Sequence, residues 1–203
     1  RARPEDLLTL IYTSGTTGPP KGVQLSHRNL FSLVEPATDV LALPEQGDVL
    51  SWLPTAHIAE RTLNYYLPML AGATITTCPD PRRIADYLPQ VRPVFFFAVP
   101  RIWEKLHSAI HIKLMEAGGL RMKLFERGFA ACAPFAERPT RRSFAQKMVF
   151  GFWYLLVFRA LQNFIGLRSV KVAMTGAAPI PAKIVHFFRT IGVPLVEVYG
   201  ATE

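Results

Sequence analysis

Short β-favouring runs alternate with stretches of helical spacing along this chain. The first run, LLTLIYTS over residues 7–14, ends in hydroxyls and predicts a strand feeding a loop. Beyond the loop, Ser26 is a helix N-cap, and Leu30, Leu33 and Val34 mark a helix face up to about Pro36. DVLSWLP (48–54) predicts a short strand, IAERTLNYYLPMLAGA (58–73) a helix closed by Gly72, and TITTC (74–78) another strand. PRRIADYLPQV (81–91) reads as a short helix, PVFFFAVP (93–100) as a buried strand with a turn, and residues 101–119 as an amphipathic helix ending in glycines. VKVAMTG (170–176), PAKIVHFFRTIG (181–192) and PLVEVYG (194–200) add a strand, a helix and a last strand. This alternation implies the α/β class, with a mainly parallel sheet flanked by helices.

Residues 120–166 break the alternation and read as mostly helical. A basic stretch, ERPTRRSFAQK (137–147), precedes the apolar run MVFGFWYLLVF (148–158), which is too short to span a bilayer. A buried core helix is the first reading, and a membrane-facing or lipid-lining helix beside a cationic patch is the second.

Composition narrows this picture only a little. Half of the 203 residues are hydrophobic, enough for a sizeable core. The net charge of +8 fits either an ordinary basic surface or an anionic partner. Cys78 and Cys132 stand far apart in no motif, so neither a disulfide framework nor a zinc cluster is expected, and a reducing compartment is the simpler reading. RARPEDLL, at the N-terminus, has no signal-peptide core, so the expected location is cytoplasmic, with peripheral membrane contact as an addition.

The richest chemistry lies in YTSGTTGPPKGV, residues 12–23. It is not a Walker A loop, because Gly22 rather than Ser or Thr follows Lys21. Nor are Gly15 and Gly18 in dinucleotide-fingerprint register. The physical logic of phosphate binding still holds. Gly15 and Gly18 let backbone N–H groups approach an anion, Thr13, Ser14, Thr16 and Thr17 add hydroxyls, and Lys21 adds a charge.

These residues resemble the phosphate loop of the adenylate-forming enzymes: acyl-CoA synthetases, luciferases and peptide-synthetase adenylation domains. Other segments extend the resemblance in the same order. LPTAHIAER (53–61) is similar to a segment of long-chain fatty acyl-CoA synthetases. VPRIWEK (99–105) resembles their strand-to-helix element, TGAAPIP (175–181) the adenine-side loop, and VYGATE (198–203) the YG-x-TE motif.

The resemblance implies the large adenylation domain of the acyl-CoA synthetase/luciferase-like fold. It implies a ligase that activates a long-chain fatty acid with ATP and Mg2+, then transfers the acyl group to coenzyme A. Thr13, Ser14, Gly15, Thr16, Thr17, Gly18 and Lys21 would hold the β- and γ-phosphates. Gly176, Ala177, Ala178 and Pro179 would line the adenine. Tyr199 and Gly200 would flank the base, and Thr202 would contact the α-phosphate. Glu203 would bind magnesium, with Thr13 sharing it. His57 would orient the carboxylate or close the site, so the catalytic set is His57, Lys21, Thr202 and Glu203. Nucleic acid is not an expected partner.

Three smaller expectations stand beside these. Glu60 and Arg61 pair locally. His107 and His111, four apart, are surface or groove histidines without the zincin glutamate. Tyr65, Tyr66 and Phe95 to Phe97 are core or acyl-pocket walls.

The family's ribose-binding aspartate, hinge arginine and lysine-bearing C-terminal domain find no match in residues 1–203. The expected organisation is therefore a partial AMP-binding domain, with the lysine supplied by a complementing chain or segment. The alternative is a non-catalytic nucleotide- or lipid-binding remnant. A phosphoryl-transfer kinase is disfavoured, since no catalytic-base motif accompanies the loop.

Overall fold

Two β-systems organise the chain. A computed structural model describes residues 1–13, 19–41, 46–137, 141–200 and 202, with residues 35–41 described by backbone alone. Strands β1 (Leu7–Thr13) and β2 (Lys21–Ser26) form an antiparallel hairpin outside the main sheet. The main sheet contains β3 (Asp48–Ser51), β4 (Thr74–Thr77), β5 (Phe95–Ala98), β6 (Val172–Thr175) and β7 (Leu195–Glu197). Its spatial order is β4-β3-β5-β6-β7, and every pairing within it is parallel.

The expected alternation is present, with two corrections. Residues 21–26, expected as loop and helix approach, form the second hairpin strand, so β1 pairs antiparallel and lies outside the parallel sheet. Only Val23 and Leu25 carry the period-two signal there, too few to separate a strand from a helix lead-in. The following helix α1 (His27–Leu41) also continues past Pro36. Its start is as expected: Asn29 N–H donates to Ser26 Oγ at 3.3 Å, and Ser26 N–H donates to Asn29 Oδ1 at 2.9 Å.

The inner strands β3, β5 and β6 are buried on both faces, and alternate residues divide between them. Leu50, Phe96, Ala98, Ala173 and Leu195 face the larger core. That core is closed by α4 (Ile84–Val91), α5 (Pro100–Glu116), α6 (Gly119–Cys132) and α9 (Ala182–Thr190), and by the long helix that begins at Phe144. Trp103 is fully buried at its centre, with Phe96 and Phe188 edge-on at 5.4 and 5.0 Å. Val49, Phe95, Phe97, Val172 and Met174 point the other way. Residues 58–71 cover part of that second face through Ala59 and Leu63. They form α2 (Ile58–Arg61), a π-helical turn (Thr62–Tyr66) and α3 (Leu67–Ala71), ended by Gly72 at φ 65°.

The long helix corrects the first reading of its apolar run. Phe144–Phe164 is continuous through α7 (Phe144–Trp153), a π-helical turn (Tyr154–Phe158) and α8 (Arg159–Phe164). A capping box between Ser143 and Gln146 starts it. Val157, Phe158 and Leu161 reach the core, but Met148, Phe152 and Leu155 do not. The run is therefore one helix with a buried apolar face and an exposed apolar face. Because it is apolar all round, periodicity could not assign its faces.

Candidate active site

The strand order reverses between β3 and β5. β4 returns to the outer side of β3, and the chain then crosses to lay β5, β6 and β7 on the other side. Crevices at such switch points, outside the carboxyl ends of strands, are where open α/β sheets bind ligands. A cleft of about 480 Å³ lies at that end of the sheet, over β5, β6 and the segment after β7. Phe97 from β5, Met174 from β6 and Val198 beyond β7 give it an apolar floor; Leu33 and Val34 of α1 and Leu63 and Leu67 add apolar walls. Its polar rim brings together His57, Gly176, Ala177, Tyr199, Gly200 and Thr202.

Local chemistry fixes these positions. His57 N-caps α2: its Nδ1 accepts the Ala59 N–H at 3.1 Å, which places the neutral ring's proton on Nε2, a donor without a partner among the described residues. Gly176 follows β6 where Val198 N–H donates to the Thr175 carbonyl at 2.8 Å. A Cβ at Gly176 would lie 2.8 Å from the Val198 carbonyl oxygen, so only glycine allows this approach. Ala177 then takes φ 67°, a left-handed conformation rarely held by a residue with a Cβ. Tyr199 is 98% exposed, so its ring presents a free flat face at the rim. Thr62 Oγ1, in the cleft wall, is buried without a hydrogen-bond partner among the described residues.

The hairpin reaches this cleft from the side. A second crevice of about 100 Å³ runs between Thr9 and Leu25 of the hairpin, α1 and the π-helical turn. Thr202, Leu33, Ile58 and Thr62 line both crevices. Thr13 and Lys21 are register partners at the loop end of the hairpin, Thr13 half-buried and Lys21 exposed. Ser14, Gly15, Thr16, Thr17, Gly18 and Glu203 lie outside the described residues. Ala178 and Pro179 are exposed and are not among the cleft-lining residues.

Two neighbours of His57 do something other than the expected pairing. Glu60 is fully buried and accepts hydrogen bonds from Ser51 Oγ at 2.5 Å, Asn64 Nδ2 at 2.6 Å and Leu53 N–H at 3.2 Å. It thereby ties the end of β3 to the π-helical turn. Arg61 turns the opposite way. Its guanidinium donates to the Thr55 carbonyl at 2.7 Å, to the Leu10 carbonyl at 3.3 Å and to Thr9 Oγ1. Arg61 thus clamps the hairpin to the loop that carries His57. Nothing in the sequence pattern distinguishes this from a local Glu–Arg pair, because adjacent helix residues point in different directions.

Trp52 adds a further brace, its Nε1 donating to the Phe97 carbonyl at 3.0 Å. The other expectations divide. Phe97 is a cleft wall, whereas Phe96 belongs to the larger core. His107 and His111 lie on α5 beside Phe187, away from the cleft, with their Nε2 atoms 3.2 Å apart. Burial, with His111 and Lys183 nearby, holds His107 below the ordinary imidazole value.

Comparison with known proteins decides the family. The family described as AMP-binding enzyme matches over residues 1–203. The chain belongs to the AMP-binding enzyme family. A Mycobacterium tuberculosis protein named as a fatty-acid–CoA ligase is 37% identical over 205 residues, covering 99% of this chain and 36% of that protein. A long-chain-fatty-acid–CoA ligase of Xenopus laevis is 36% identical over 213 residues, with 99% and 28% covered. The chain therefore spans roughly a third of the length of these relatives. Among solved structures, the A-PCP didomain of carboxylic acid reductase from Segniliparus rugosus, in complex with AMP, matches with a TM-score of 0.64. The identity is 22%, over 100% of this chain and 25% of that one. ATP-bound MatB from Rhodopseudomonas palustris matches at 0.59 with 20% identity, over 99% and 30%. The parallel sheet and its flanking helices are those of an adenylation domain.

Proposed function

We propose that this AMP-binding chain carries the nucleotide- and acyl-binding part of an ATP-dependent ligase that activates a long-chain fatty acid. A fatty-acid carboxylate oxygen attacks the α-phosphorus of ATP, and the bond to the β-phosphate oxygen breaks, releasing pyrophosphate. The thiolate of coenzyme A then displaces AMP from the acyl carbonyl, giving the thioester. The observation that carries this reading is the single cleft in which an apolar floor meets the polar rim of His57, Gly176, Ala177, Tyr199 and Thr202.

The residues divide the work by chemistry. Phe97, Met174 and Leu63 offer hydrocarbon surface to an acyl chain. His57 Nε2–H would orient the carboxylate. The Gly176–Ala177 turn and the open face of Tyr199 suit a flat base, and Thr202 a phosphate oxygen. Lys21 and the hydroxyl-rich loop that follows Thr13 would hold the departing pyrophosphate. The oxygen donors Thr13 and Glu203 suit a hard cation, and magnesium bound there would neutralise charge on the phosphates. Residues outside these 203, in the same chain or a complementing one, would add the ribose-binding aspartate, the hinge arginine and the lysine. A reducing, cytoplasmic location suits the two free cysteines, Cys78 and Cys132, whose thiols burial pushes above the ordinary value.

Calorimetry with a non-hydrolysable acyl-adenylate mimic tests this reading. A long-chain mimic should bind at least about tenfold more tightly than a two-carbon one, since each buried methylene contributes about 0.8 kcal/mol. Equal affinity for both would remove the acyl function from this cleft. A second reading, a nucleotide- or lipid-binding remnant without catalysis, draws on the chain's one-third coverage of its relatives. It predicts the same binding with no turnover.

A further inference from the structure

His107 and His111 stand one helical turn apart on α5 and turn their rings toward each other. Their Nε2 atoms are 3.2 Å apart. Both side chains are half-buried, so the pair keeps an open side. The closed side is aromatic. Phe187 of α9 meets the His107 ring edge-on at 4.4 Å and lies 5.6 Å from the His111 ring, and Phe125 of α6 lies 6.3 Å from His111. This wall restricts the rotamers of both rings and holds the two nitrogens together.

In the metal-free chain one Nε2–H donates to the other Nε2. With the proton of each neutral ring on Nδ1, both Nε2 lone pairs can meet at one point. An ion about 2.0–2.1 Å from each nitrogen would see the pair at an angle of about 100°, close to tetrahedral. The spacing therefore matches a chelate as it stands. The missing zincin glutamate removes a hydrolytic role and leaves the chelate intact. Among the described residues no third His, Cys, Asp or Glu completes a cluster, so water would fill the remaining positions. Lys183 of α9 acts on His107 and opposes a cation there, which limits the affinity.

We propose that His107 and His111 form a two-histidine binding site for a borderline divalent transition-metal ion, zinc or copper, on the outer side of α5. Imidazole nitrogens favour such ions over the hard magnesium ion, which prefers oxygen donors. The bound ion would clip one turn of the helix that carries Trp103 into the larger core. Neither histidine lines the cleft, and the inference does not depend on the adenylation reading.

Calorimetric titration of the untagged 203-residue chain with zinc chloride, at about pH 7.5 where imidazole is neutral, provides the test. One equivalent should bind. His107→Gln and His111→Gln should each weaken binding at least about tenfold, and the double variant should lose little more, because a chelate fails with either ligand. Copper(II) on the same chain should show electron paramagnetic resonance splitting from two nitrogens, and either single variant should lose that pattern. Zinc at a hundredfold excess over Kd should raise the wild-type melting temperature by about 5 °C and leave the double variant unmoved. Circular dichroism checks that each variant folds. Absence of saturable zinc binding by the folded wild type would overturn the proposal. So would undiminished binding by the folded double variant, which would mean an adventitious ion only.

Discussion

Thr13 and Lys21 face each other across the first hairpin, one at the end of β1 and the other at the start of β2. The hydroxyl-rich loop between them therefore leaves and re-enters a single ladder. Its two flanks are held at fixed separation by backbone hydrogen bonds rather than by a helix. A phosphate-binding loop mounted this way depends on its cation, because no helix N-terminus at its exit adds to the charge.

Lys21→Ala should accordingly lower fatty-acid-dependent adenylation by about 100-fold, the scale of losing one oriented transition-state donor. The exposed side chain carries no packing, so the melting temperature should stay within about 1 °C of wild type. Pyrophosphate titration of both proteins checks the assignment: the variant should bind it weakly.

Gly176→Val should damage the cleft at its rim. The added Cβ meets the Val198 carbonyl oxygen at 2.8 Å, and moving that residue strains its N–H bond to the Thr175 carbonyl. A cost of about 1–3 kcal/mol in urea unfolding is expected, together with weaker AMP binding in titration.

Glu60→Ala should be among the more destabilising changes, at about 3 kcal/mol, because it takes the acceptor from Asn64 Nδ2 and Leu53 N–H and leaves Ser51 Oγ only Tyr65 Oη at 3.2 Å. Arg61→Ala should not reproduce this in chemical unfolding. It removes the clamp on the hairpin instead, and should raise the proteolytic sensitivity of residues 7–26 while leaving the sheet intact.

Acid should weaken the fold through two groups. His107 titrates lower in the folded chain than in the unfolded one, so the unfolded state takes up the proton first as pH falls. Its contribution is complete above the ordinary imidazole value of about 6.5 and is lost as pH falls through the depressed folded value. Glu137 is also held low, first by its hydrogen bond from His186 and also by Arg189, and its contribution disappears at more acidic pH. His107→Gln should flatten the melting temperature between about pH 7 and pH 5 relative to wild type. An unchanged slope would show that His107 does not drive that window.

Much of this architecture was legible in the sequence because buried parallel strands write themselves as apolar runs. FFFA at residues 95–98 and VAMT at 172–175 are buried on both faces, and no alternation was needed to find them. The rim residues His57, Gly176, Ala177, Tyr199, Gly200 and Thr202 were also found from motifs, and the cleft assembles them from distant positions. Other features need three dimensions. β2 shows only two alternating apolar residues, and Pro36 looks like a stop although the helix passes it. Glu60 and Arg61 are neighbours in sequence, yet one is buried under β3 and the other grips β1. The outward stripe on Phe144–Phe164 is invisible to a pattern that is apolar on every side.

The central claim is that this cleft forms an acyl-adenylate, and ATP–pyrophosphate exchange on the purified chain tests it most directly. The account predicts exchange that requires a long-chain fatty acid and magnesium and is lost in Lys21→Ala. Absence of exchange, from folded chain supplied with the complementing lysine-bearing segment, would contradict it and leave the cleft a binding site without turnover.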